Sequence, residues 1–193
     1  QNLEEARQSA ALVIADGHRA ADIIGRIRAL AKRTPPHKDW LDLNATIRDV
    51  LALVRSEVHR HGVTVETHLA ADVPRILGDR IQLQQVLLNL LMNAIEAMRD
   101  TGAGPRTLWV SSERVAATEV VIAVRDSGPG FDPQQLDRLF DAFYTTKPHG
   151  LGLGLAISRR IIEAHGGRLW ATANVPRGAV VQFTLPIGSE EGA

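Results

Sequence analysis

Over the first 33 residues, apolar and small side chains recur at alternating steps of three and four: Leu3, Ala6, Ala10, Val13, Gly17, Ala20, Ile24, Ile27 and Ala31. Arg, Asp and Glu fill positions between them. A 3.5-residue period is the seam of a helix packed along other helices, so residues 1–33 are expected to form one long helix. Its many Ala and Gly residues favour close packing over a strong autonomous zipper. An amphipathic helix lying on its own domain has the same period. Thr34-Pro35-Pro36 ends the pattern, because proline cannot continue the hydrogen-bond ladder, and 34–39 reads as a linker.

Beyond the linker the period changes repeatedly. A short strand over Trp40 to Leu43 is followed by a helix to about His59, capped by Asn44 or Thr46. Val63 to Leu69 alternates as a strand, and Arg75 to Leu77 reads as a shorter one. Gln82 to Arg99 is a long helix. Arg106 to Val115 and Glu119 to Asp126 read as hairpin partners, and Pro133 to Phe140 as a short helix. Gly152 to His165 is helical until Gly166-Gly167, and strands at Arg168 to Ala173 and Ala179 to Leu185 close the chain. Without a regular βαβ alternation, the expected class is α/β, a two-layer sandwich with helices on one face of a mixed β-sheet, preceded by the long N-terminal helix. The expected division is 1–33, linker 34–39, a catalytic domain over 40–188 and a tail at 189–193.

Composition narrows the reading. The 193 residues are 45% apolar, enough for a full core, and the 22 basic and 22 acidic side chains cancel. No general field draws nucleic acid or an acidic membrane. The absence of cysteine removes disulfides and thiolate chemistry and fits a reducing compartment. No apolar run approaches the ~20 residues that span a bilayer, so a cytoplasmic fragment is expected, cut from a longer protein because it opens inside a helical pattern.

Three clusters then appear in one order. On the helix from Gln82, one face carries Leu87, Leu90, Leu91, Ala94, Ile95 and Met98. Another carries Gln82, Gln85, Asn89, Asn93 and Glu96. Asparagine is a mediocre helix former, so two of them one turn apart need a reason. They supply either a solvated face or a row of amide oxygens for a hard Mg²⁺ ion. Next, Asp126-Ser127-Gly128-Pro129-Gly130 closes a strand. It reads as a plain turn or as a strand-end carboxylate placed to accept from an exocyclic amino group, with bare backbone beside it for a flat base. Last, Thr145-Thr146-Lys147-Pro148-His149 leads into Gly150-Leu151-Gly152-Leu153-Gly154-Leu155 at the start of a helix. Glycines before a helix N-terminus offer N–H groups to phosphate. The spacing is neither a dinucleotide-binding nor a Walker pattern. Lys147 reads either as a cation for a terminal phosphate or as a plain surface lysine, and the polar stretch Asp141 to His149 reads as a mobile lid.

Taken together, these clusters resemble the ATP-binding catalytic domain of sensor histidine kinases, within the wider family of gyrase, the Hsp90 chaperones and MutL. The likeness covers Trp40 to Pro186. Asn89 and Asn93 match the family's asparagine box, and Asp126, Gly128 and Gly130 its first glycine box. Phe140 and Phe143 match its phenylalanine box, and Gly150, Gly152 and Gly154 its second glycine box. The lid and the tail Ile162-Glu-Ala-His165-Gly-Gly are most similar to the nitrogen- and oxygen-sensing branch. The resemblance implies Mg²⁺ on Asn93, adenine read by Asp126, and ATP held along Asn89, Glu96, Thr145, Thr146, Lys147 and Gly150 to Leu155. Asn89 stands where ATPase relatives carry the glutamate that activates water, which suits protecting the γ-phosphate for transfer. Asn89 and Lys147 are thus the expected catalytic pair.

Two departures accompany this likeness. Val180 stands where the family usually has threonine, which removes a hydroxyl expected near the adenine. The N-terminal helix resembles the second helix of a dimerisation hairpin, and its only histidine, His18, is followed by Arg19 rather than an acid. The acceptor histidine is therefore expected on another helix. The implied partners are a phosphoacceptor hairpin of the same or a partner protomer, a response regulator, and a second copy in a full-length homodimer. An ATP hydrolase of the same superfamily, a protein-serine kinase of the anti-sigma type and an ATP-sensing scaffold without chemistry are the alternative readings.

Overall fold

The computed structural model describes residues 37–99, 104–145 and 151–188. The expected N-terminal helix with His18, most of the linker, the tail, and Thr146, Lys147, His149 and Gly150 lie outside the described residues. Among the described residues, β1 (Asp39–Leu41) pairs antiparallel with β3 (Ile76–Gly78) in a two-stranded ribbon. Between them run α1 (Leu43–Leu53), α2 (Arg55–Arg60) and β2 (Val63–Leu69). The long helix α3 (Arg80–Arg99) is followed by the hairpin β4 (Arg106–Ala116) and β5 (Glu119–Asp126), a 3-10 turn at Pro133–Arg138, α4 (Gly154–Ala164), β6 (Leu169–Ala173) and β7 (Ala179–Pro186). The main sheet has five strands in the order β2-β4-β5-β7-β6. Only β2 and β4 run parallel, so the sheet is mixed as expected.

Strand alternation explains how that sheet finds its core. In β5, Val120, Ile122, Val124 and Asp126 are buried, while Val121, Ala123 and Arg125 are half-buried on the other face. The β7 residues opposite Val120 and Ile122 are Leu185 and Phe183, also buried. Onto this face pack Leu43, Ile47 and Val50 of α1, the α3 stripe from Leu83 to Met98, and Ile162 of α4. Each such fully buried side chain contributes about 1.5–3 kcal/mol. The opposite face is polar and aromatic: the Arg125 guanidinium stacks 4.1 Å above the Trp109 ring, whose indole N–H donates to Glu66 Oε2 at 2.8 Å. No helix among the described residues is long and apolar enough to cross a membrane.

Two expectations need correction. The cap of α1 is neither Asn44 nor Thr46 but Asp42, whose Oδ1 accepts from Ala45 N–H at 2.9 Å. Asn44 is instead buried one position into the helix, where its Oδ1 accepts from Ser112 Oγ at 2.6 Å and its Nδ2 donates to the Ala70 carbonyl at 2.8 Å. The helix also does not run unbroken to His59, because it resets at Val54 into α2.

Candidate functional site

The site forms where the C-terminal end of β5, the α3 face bearing the asparagines and the N-terminal end of α4 meet. Asp126 closes β5 and is only 5% exposed. Both of its carboxylate bonds fall on Oδ1, which accepts from Gly128 N–H at 2.8 Å and Ala179 N–H at 3.3 Å. Among the described residues no hydrogen bond is given to Oδ2. Burial pushes the carboxyl above its ordinary value, and the two N–H bonds pull it partly back.

Glycine surrounds this carboxylate because nothing larger fits. A Cβ on Gly128 would lie 2.8 Å from Asp126 Oδ1, and one on Gly130 would lie 2.7 Å from the Gly178 carbonyl oxygen. Gly178 has φ +115 and sits so close to the Asp126 backbone carbonyl that any side chain there would collide with it. Asn174 holds the same carbonyl from the β6–β7 turn, donating through Nδ2 at 2.9 Å. The turn after β5 and the turn before β7 thus interlock around one carboxylate.

On α3, Asn89 donates from Nδ2 to Ser158 Oγ at 3.0 Å, and a Cβ on Gly154 would collide with Asn89 Oδ1. Asn89 therefore clamps α3 against the first turns of α4. Asn93, one turn further, is half-buried, and Glu96 is exposed. Leu153 is buried at the N-cap of α4, with Leu151 and Leu155 half-buried on either side. Its cap uses no side chain, so the first N–H groups of α4 are not consumed by one. Phe143 N–H donates to the Gly152 carbonyl at 3.0 Å, so the two described ends of the segment 146–150 meet. Thr145 closes the first of those ends. Phe140 packs against the core with the Arg159 guanidinium 5.8 Å from its ring centroid, whereas Phe143 is 71% exposed at φ +69.

Asn89, Asn93, Asp126, Gly128, Gly130, Gly152 and Gly154 are thereby gathered on two helices and two turns of one region. Thr146, Lys147 and Gly150 fall outside the described residues. Val180 bears on the site less than its sequence position implied. It pairs with Arg125, on the sheet face opposite Asp126, and the contact to the carboxylate comes from the Ala179 backbone. Asn174 and Gly178 were missed, because only the folded turn brings them to Asp126. Among the described residues no three His, Asp or Glu side chains cluster as a metal site. A cation here would take oxygen mainly from a bound anion and from amides, which fits Mg²⁺ carried on phosphates with Asn93 as its protein ligand.

Comparison with known proteins identifies the family. The family model described as histidine kinase-, DNA gyrase B-, and HSP90-like ATPase matches residues 78–189. Sensor histidine kinase TmoS of Ectopseudomonas mendocina is 39% identical over 187 residues, which cover 96% of this chain and 19% of that protein. Sensor protein FixL of Bradyrhizobium diazoefficiens is 40% identical over 172 residues, covering 89% and 34%. The chain thus spans about a fifth to a third of the length of these relatives. Among solved structures, full-length ShkA in complex with AMPPNP superposes with a TM-score of 0.77 at 28% identity, covering 91% of this chain and 36% of that one. The nucleotide-free catalytic domain of histidine kinase ThkA superposes at 0.70 with 33% identity, covering 78% and 95%.

Proposed function

Because this chain belongs to the histidine kinase-, DNA gyrase B-, and HSP90-like ATPase family, we propose that it is the ATP-binding catalytic region of a two-component sensor histidine kinase. It transfers the γ-phosphoryl group of ATP to a histidine on a dimerisation hairpin. The observation that carries this reading is Asp126, a buried carboxylate with one oxygen fixed by two backbone N–H groups and the other left open. That oxygen accepts from the adenine amino group, and the bare backbone of Gly128 and Gly130 lets the flat base approach.

The phosphates lie toward the N-terminus of α4, where Gly152, Leu153 and Gly154 present backbone N–H groups and the helix dipole favours negative charge. Asn93 would hold Mg²⁺ through its amide oxygen, and the ion would supply positive charge against the phosphates. Lys147 is the cation that this reading assigns to the terminal phosphate. In the transfer, the bond between the γ-phosphorus and its bridging oxygen breaks, a bond to an imidazole nitrogen forms, and ADP leaves. The imidazole proton passes to an acidic neighbour on the hairpin. Asn89 supplies no base for water, since its amide is engaged by Ser158 and carries no titratable proton. This favours transfer over hydrolysis.

The kinase's partners follow from that chemistry: a hairpin carrying the acceptor, a response regulator that receives the phosphoryl group, and a second copy through the seam of residues 1–33. The purified chain is expected to bind ATP without labelling itself. Added to a separate hairpin with an acceptor histidine, it is expected to produce acid-labile, alkali-stable label from γ-labelled ATP. Label on His18 in the chain alone would overturn the assignment of the acceptor to another helix, and failure to bind ATP would overturn the whole reading.

A further inference from the structure

The helices α3 and α4 run antiparallel, and the Asn89–Ser158 clamp joins the middle of α3 to the N-terminal half of α4. A second polar cluster lies about 15 Å away along α3, at ten residues of 1.5 Å rise. At its centre is His165, buried at 3% exposure where α4 ends. Its Nε2 accepts from the Asp79 backbone N–H at 2.9 Å, so Nδ1 carries the ring proton and donates to the Ile161 carbonyl at 2.8 Å. Asp79 is the residue before α3, and its Oδ1 accepts from Gln82 N–H at 3.1 Å as a cap. One imidazole therefore ties the last turn of α4 to the first turn of α3.

The chain entering the domain grips the same two points. His37 N–H donates to Asp79 Oδ2 at 3.2 Å, and Lys38 Nζ donates to the Ala164 carbonyl at 3.2 Å, next to His165. Space around the ring is closed, since a Cβ on Gly78 would lie 3.3 Å from His165 Cδ2. Residues 37–38 are thus bonded both to the residue before α3 and to the last turn of α4.

We propose that neutral His165 is a positioning residue of the nucleotide site, holding α3 and α4 in register and tying both to the incoming segment at His37–Lys38. This rests on the ATP-site reading above. The neutral ring is required because Nε2 must accept, and a protonated ring would turn two donors on each other. Burial pushes the imidazole below its ordinary value. The bond to Ile161 opposes that shift, the Lys38 charge adds to it, and Asp79 opposes it. A lowered value means that the lock is complete above about 6.5 and is lost as pH falls through the folded-state value.

The test uses the 193-residue chain, the Mg-bound form of a non-hydrolysable ATP analogue, and two variants. In His165→Gln the amide oxygen reaches the place of Nε2, whereas in His165→Asn the side chain stops at the place of Nδ1. Calorimetric affinity for the analogue is expected to fall on the order of tenfold in His165→Asn and to stay within about twofold in His165→Gln. Wild-type affinity is expected to weaken on acidification more than that of His165→Gln. Nitrogen-edited spectra of the wild type are expected to place the ring proton on Nδ1, a readout that does not depend on any variant folding. A proton on Nε2, or two variants that bind alike, overturns the proposal while leaving the ATP site standing. Wild-type chain that binds no nucleotide overturns both.

Discussion

Replacing Asp126 with Asn separates its proposed binding role from its cost to the fold. The amide oxygen can keep the two N–H bonds from Gly128 and Ala179 that now fall on Oδ1, so local geometry should survive. The second position then becomes an NH₂ donor where the wild type has an acceptor. Facing the adenine amino group, two donors meet, and a charge-assisted bond is lost. Together these amount to about 2–3 kcal/mol, or roughly thirty- to a hundred-and-fiftyfold in Kd for ATP. GTP presents a carbonyl at the same place and should gain affinity, so the ATP-to-GTP preference should shrink or invert. Stability should move the other way. The folded-state carboxyl titrates above its ordinary value of 3.8, so the fold binds more protons than the unfolded chain just above that pH and loses stability as pH rises through the window. At neutral pH the cost of burying the charge is fully present, and Asp126→Asn removes it. Calorimetric titration with ATP and GTP, alongside thermal melts at pH 7 and below 3.8, is expected to show weaker ATP binding with a higher Tm at pH 7 only. A raised Tm with unchanged nucleotide preference would refute the placement of Asp126 in the site.

Asn93→Ala should abolish the Mg²⁺-dependent part of ATP affinity and leave the metal-free part intact, checked by titration with and without Mg²⁺. Gly178→Ala should destabilise by about 3 kcal/mol or more, since φ +115 disfavours any side chain and the new Cβ collides with the Asp126 carbonyl; urea unfolding measures it, and a loss under 1 kcal/mol would show that the turn relaxes. Ser112→Ala leaves the buried Asn44 oxygen without its donor and should cost about 1–3 kcal/mol, less when Asn44 is also replaced by Leu, so a double-mutant cycle should be non-additive.

What the sequence made legible was whatever its own neighbours determine. The limits of β2 and β5 coincide with the alternating runs Val63 to Leu69 and Glu119 to Asp126, because a two-residue period is written into consecutive side chains. The stripe of α3 from Leu87 to Met98 is buried as its spacing predicted. The turn after β5 was equally local, since Asp126 bonds Gly128 two residues on.

The misses share one property, a polar partner far along the chain. Asn44 had the chemistry of a cap and was read as one, yet its bonds go to Ser112, 68 residues away, and to the Ala70 carbonyl, 26 residues away, while Asp42 caps the helix. Nothing in the residues around His165 names its partner: it ends α4, and its buried ring meets the Asp79 N–H 86 residues earlier. In each case the residue type announced a hydrogen bond and only the fold chose the partner. That is also why the Asp79–His165 lock invites measurement: a buried imidazole that must stay neutral to accept one backbone N–H ties affinity to pH in a way that no packing contact at the same place would.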